Sequence, residues 1–142
     1  MDILKAVLTF WVGYLLILIG DAIFLGRVMH QFIIDKFGAL VESTNGSINM
    51  NLTAGLTAWF VIVMMIYVFV LKSGYAVSYP SIILWGAIMG FLMYSMYEFT
   101  NWTFLKDYPA SFVFADIAWG TFLCAAVALA MYAFQIWINK VL

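Results

Sequence analysis

Four apolar stretches, at about residues 4–28, 52–71, 80–104 and 111–138, divide this chain. Each is long enough to cross a hydrocarbon core, which takes about 20 residues of helix. Within lipid the backbone must satisfy its own hydrogen bonds, so such stretches are expected as helices. The fold class follows: an all-α integral membrane protein, a four-transmembrane-helix bundle forming one domain over residues 1–142. Only 9% of residues are charged and 67% are hydrophobic, against about 25% charged in a soluble domain. The surrounding lipid bilayer is therefore the first partner expected.

The first stretch is interrupted by Asp21 and lacks a small-x-small cleavage pattern, so it reads as a retained helix rather than a signal peptide. Pro80 suits the first turn of the third helix, and Pro109 punctuates the short connection to the fourth. Between the first two spans, Met29, Ile33, Phe37, Leu40 and Val41 fall close to helical spacing, which predicts a short helix lying in the membrane interface. The run Ser43 to Ser47 that follows is turn chemistry. Trp85, Trp102, Trp137, Tyr75 and Tyr108 lie near span ends, where aromatic belts are expected.

Six Lys and Arg against seven Asp and Glu give a net charge of −1 with no basic stripe, which argues against a nucleic-acid partner. The single Cys124 excludes an intrachain disulfide and a cysteine metal cluster. No metal or other cofactor is expected. Lys5, Lys72 and Lys140 fall on the terminal face, and Arg27, Lys36 and Lys106 on the loop face, so the positive-inside rule does not choose an orientation. Termini on the cytoplasmic side of a bacterial inner membrane are the working expectation, since the longer polar loop is then exported.

Against this background Asp21, Glu98 and Asp116 stand out, because a charged group near a helix centre costs about 2.5–3.5 kcal/mol to insert. The helix directions place all three in the loop-face half of the bilayer. Asp21 and Glu98 come late in outward-running helices, and Asp116 comes early in a returning one. Residues four apart share a face. One row reads Gly86, Gly90, Tyr94, Glu98, and another Asp116, Gly120, Cys124, Ala128. Gly86, Gly90, Gly120 and Cys124 form small-residue seams that suit close helix packing, so Glu98 and Asp116 are expected to face protein rather than lipid. Asp21 follows Gly13 and Ile17 on a similar row.

Tyr94, Tyr97, Asn101 and Trp119, with Thr100 nearby, are candidate polar partners in the same half; Arg27, His30 and Asn51 lie nearer the mouth. Hydroxyl, amide and indole groups can hydrogen-bond a carboxyl group. The expected site is thus a polar pocket of Asp21, Tyr94, Tyr97, Glu98, Asn101, Asp116 and Trp119, opening towards the loop face. Acids this close in a low dielectric are not all expected to be ionised.

The segments Asp21-Ala22-Ile23-Phe24-Leu25-Gly26, Tyr97-Glu98-Phe99-Thr100-Asn101, Pro109 and Asp116-Ile117-Ala118-Trp119-Gly120 resemble the predicted membrane-protein family called domain of unknown function 2177. The resemblance covers nearly the whole chain and departs from the family in having Glu98 where an aspartate is usual. It implies the same four-helix membrane architecture and the three acid-containing motifs, and no activity.

Three functions remain open from sequence. The pocket binds or translocates a cation, a proton or a polar lipid headgroup or small solute, which for four spans implies a homo-oligomer. The chain is instead a metal-free intramembrane enzyme on a lipid or isoprenoid, although no activated nucleophile, zinc-helix motif or nucleotide loop is present and no catalytic residue is assigned. Or it is an accessory or assembly subunit of a larger membrane complex, offering faces such as Met64, Met65 and Phe69. The plain alternative to all three is that the acids serve only to hold helix register. The binding pocket is the reading the clustering favours.

Overall fold

The computed structural model describes residues 2–38, 41, 43–44 and 47–142. Four helices are long and apolar enough to span a membrane: Asp2–Val28, Leu52–Leu71, Tyr79–Phe104 and Ala110–Val141. The first is helix α1 (Asp2–Ile23), which ends in a π-helical turn (Phe24–Val28) closed by the Met29 N–H donating to the Phe24 carbonyl at 2.8 Å. A short helix, α2 (His30–Phe37), follows. Two-residue strands β1 (Ser43–Thr44) and β2 (Ser47–Ile48) then pair antiparallel, Ser43 opposite Ile48 and Thr44 opposite Ser47. Leu40, expected on the apolar face of the short helix, and the centre of the expected turn at residues 45–46 lie outside the described residues.

Helix α3 (Leu52–Met65) is capped by the Asn51 side chain, which accepts from the Ala54 N–H, and it too finishes in a π-helical turn (Ile66–Leu71). Helix α4 (Tyr79–Phe104) starts with Pro80 in its first turn and a reciprocal Ser78–Ser81 capping box, so the donors orphaned at its start are met locally. It stops at Leu105, and the chain turns through Asp107, at a φ of 57°, and Pro109 into α5 (Ala110–Val141).

Helix α5 is the pillar of the bundle: half of its most apolar window is buried, against about a fifth in the other three spans. It packs on α4 along the greatest length and also on α1, while the end of α3 touches both α4 and α5. The main core gathers Ile17 of α1, Val63, Ile66 and Val70 of α3, Ile82 of α4, and Leu123, Val127 and Met131 of α5. The outward faces keep Leu15, Phe60, Phe69, Leu92 and Phe122 exposed, as lipid-facing helices require.

The α4–α5 seam explains the close approach. A Cβ on Gly86 would lie 2.8 Å from the Ala128 Cβ, and one on Gly90 would lie 2.7 Å from the Cys124 Cβ and collide with the Gly120 carbonyl. A Cβ on Gly120 would strike the Tyr94 ring. The two rows read from the sequence thus mate with each other, rung by rung: Gly86 with Ala128, Gly90 with Cys124, Tyr94 with Gly120. Antiparallel helices continuing in that register bring Glu98 to Asp116.

A second apolar cluster sits at the loop-face end. Ile33 of α2 packs with Tyr108, Phe112, Val113 and Ile117. The short helix therefore commits its apolar face to the mouth of the bundle.

Candidate functional site

Three helices meet at Asp21, which is 4% exposed. Its two oxygens accept from two different indoles, Trp59 Nε1–H of α3 at 2.6 Å and Trp119 Nε1–H of α5 at 2.8 Å. Trp119 is further fixed by Phe24, one residue past the end of α1, whose ring stacks on it at 4.4 Å and 6°. Burial of a carboxyl group needs compensating donors, and this clamp supplies one from each neighbouring helix.

The second part of the site is Glu98, which is 0% exposed, and Asp116, 7% exposed. Their side chains face and interact with each other across the α4–α5 interface. The Tyr108 hydroxyl also reaches both Glu98 oxygens, at 3.2 and 3.0 Å. Asn101 also acts on the Tyr108 hydroxyl. Burial, and after it the charge of Glu98, push the Tyr108 hydroxyl above the ordinary tyrosine range, which keeps it a protonated donor. Among the described residues no Lys or Arg acts on any of the three acids.

The two parts are neighbours. Asp116 feels the charge of both Glu98 and Asp21, and Tyr94 feels both Asp21 and Asp116. The structure therefore gathers Asp21, Tyr94, Glu98, Asn101, Asp116 and Trp119 in the loop-face half. Tyr97 is not among them: it is 60% exposed on the outer face of α4, because it falls one position off the row that meets α5. Thr100 is exposed as well and its hydroxyl donates to the Met96 carbonyl. Arg27 is exposed at the π-turn and Asn51 is engaged as a helix cap.

Two site residues escape the sequence reading. Trp59 is one bulky residue among many in an apolar span, and nothing in its local sequence marks it as facing Asp21, 38 positions away. Tyr108 has the position of a belt residue, yet it is buried over Glu98. Its neighbour Pro109 is the available signal, since a proline restricts the residue before it to extended backbone.

The three acids are buried within the bundle, at 4%, 0% and 7% exposure. Hollows of about 460 Å³ and about 250 Å³ lie on outer faces around α4, the first between Leu92, Ser95, Met96 and Phe99, and neither touches an acid. At the loop-face end Tyr108 lies over Glu98, and α2 packs against Tyr108 and Phe112. The edge of the Phe37 ring contacts Tyr108 at 5.2 Å and Phe112 at 4.9 Å.

No curated protein and no solved structure matches the chain. A family model described as predicted membrane protein (DUF2177) matches residues 6–133, a stretch that reaches from the first span into the fourth and contains the three acid motifs, and the chain belongs to that family.

Proposed function

We propose that this membrane protein binds a proton in the loop-face half of its bundle, on the Glu98–Asp116 carboxyl pair. One observation carries the reading: two carboxyl side chains, 0% and 7% exposed, meet on facing rungs of the α4–α5 seam. An ionised carboxylate only accepts, so two of them bond each other only when a proton lies between them. Like charges in a low dielectric repel strongly, and with no Lys or Arg acting on the pair a proton is the group that relieves the repulsion.

The closed packing favours a proton over the other ligands expected from sequence. A hydrated cation or a lipid headgroup needs volume, and the three acids are 7% exposed or less. Further along the same rows towards the terminal face stand Gly90, Gly86, Cys124 and Ala128, none of which carries a carboxyl group. The proton therefore enters and leaves on the loop face, and the single chain serves as a proton-binding element rather than a path across the bilayer.

The test is infrared spectroscopy of the protein in lipid. The wild type should show a protonated-carboxyl C=O band that shifts on deuteration and disappears in Glu98→Gln/Asp116→Asn. A spectrum without that band, or a band that survives in the double variant, rejects the proposal.

A further inference from the structure

From the unequal supply of hydrogen-bond donors to the three buried acids, we infer that Asp116 is the carboxyl that carries the proton and turns it towards Glu98; the inference rests on the proton-binding reading above. A buried carboxylate needs donors on its oxygens, whereas a protonated carboxyl needs an acceptor for its own O–H. Asp21 has a donor on each oxygen, the indole of Trp59 at 2.6 Å and that of Trp119 at 2.8 Å. Glu98 receives the Tyr108 hydroxyl at 3.2 and 3.0 Å from its two oxygens. Both of these acids are placed to accept.

Asp116 has the opposite surroundings. It stands in the second turn of α5, past the N–H groups that a helix start leaves free. The N–H groups of Phe112 and Val113, four and three positions before it, already donate to the Pro109 carbonyl at 2.9 and 3.2 Å. The Trp119 indole, three positions after it, is committed to Asp21, and the Tyr108 hydroxyl to Glu98. The titratable groups around the pair are Asp21 of α1, Tyr94 of α4 and Tyr108 of the α4–α5 connection, and none of them is a cation. Among the described residues, the group that faces Asp116 is therefore Glu98, an acceptor already oriented by Tyr108. An O–H on Asp116 has somewhere to go. A proton on Glu98 instead would set its O–H among the oxygens that Tyr108 serves, and would leave a charged Asp116 with no donor.

The experiment uses the full chain in lipid, with carbon-13 in the side-chain carboxyl carbons of either all Asp or all Glu residues. The heavier carbon lowers a C=O frequency, and subtracting labelled from unlabelled infrared spectra cancels the lipid ester absorption. The protonated-carboxyl band should move in the Asp-labelled protein and stay in place in the Glu-labelled one. It should persist in Asp21→Asn and be lost in Asp116→Asn. A band that moves with the Glu label puts the proton on Glu98, and a band lost in Asp21→Asn puts it on Asp21; either result overturns the inference. The isotope comparison needs no substitution, so it decides between Asp and Glu even where a variant fails to fold. A wild type without any such band rejects the proton-binding reading itself, a different outcome from a band on the wrong residue.

Discussion

Glu98 and Asp116 close a ladder of facing positions that begins with Gly86 and Ala128, so the carboxyl pair is held by the same seam that brings α4 and α5 into contact. Residues sharing a buried hydrogen bond couple by about 0.5–3 kcal/mol. In a double-mutant cycle with Glu98→Ala and Asp116→Ala, followed by thermal unfolding in detergent, the two changes should be strongly non-additive. Additive losses would mean that the side chains do not meet.

The seam makes its own prediction. Gly90→Val puts a branched side chain where even a Cβ meets the Cys124 Cβ at 2.7 Å, and overpacking of this kind costs about 1–3 kcal/mol. Gly55→Ala is the comparison: its Cβ would touch only the Trp59 ring, at 3.5 Å, an ordinary contact. The first variant should lose thermal stability and Glu98–Asp116 coupling, and the second should retain both.

Asp21 needs both of its indoles. Trp59→Phe or Trp119→Phe removes one donor while keeping an aromatic ring, and leaving a buried acceptor without a partner costs about 1–3 kcal/mol. Each variant should unfold at a lower temperature. Adding Asp21→Leu to the double Phe variant should recover part of the loss, since a buried acid without donors is worse than an apolar side chain. No recovery would show that the clamp does not set the penalty.

Tyr108→Phe keeps the ring against Phe37 and removes only the hydroxyl over Glu98. A loss of about 1 kcal/mol is expected, read by thermal unfolding, with a shift in the carboxyl infrared band. Because burial and Glu98 push the Tyr108 hydroxyl up, it should ionise after the exposed tyrosines in an alkaline titration followed by ultraviolet absorbance. Raising the pH removes a proton from a phenol whose charged form is disfavoured, so the delay is towards higher pH. Early ionisation would place Tyr108 in water.

Four spans return the chain to the face on which it started. Reporters fused to the N-terminus and to the C-terminus should therefore give the same sidedness, and opposite signals would remove one of the spans.

The sequence by itself determined the number of spans, the leaflet that holds Asp21, Glu98 and Asp116, and the two small-residue rows. Those follow from composition, helix direction and a period of 3.6 residues, all local properties of the chain. Tertiary structure decided which row meets which, that Trp119 serves Asp21 rather than Asp116, that Tyr97 faces outward, and that Trp59 and Tyr108 complete the site. It also placed all three acids among the buried residues of the bundle. The reason is physical: a hydrogen bond between positions 21 and 119 depends on how two helices rotate about their axes, and that rotation is set jointly by the packing of all four helices, which no single segment encodes.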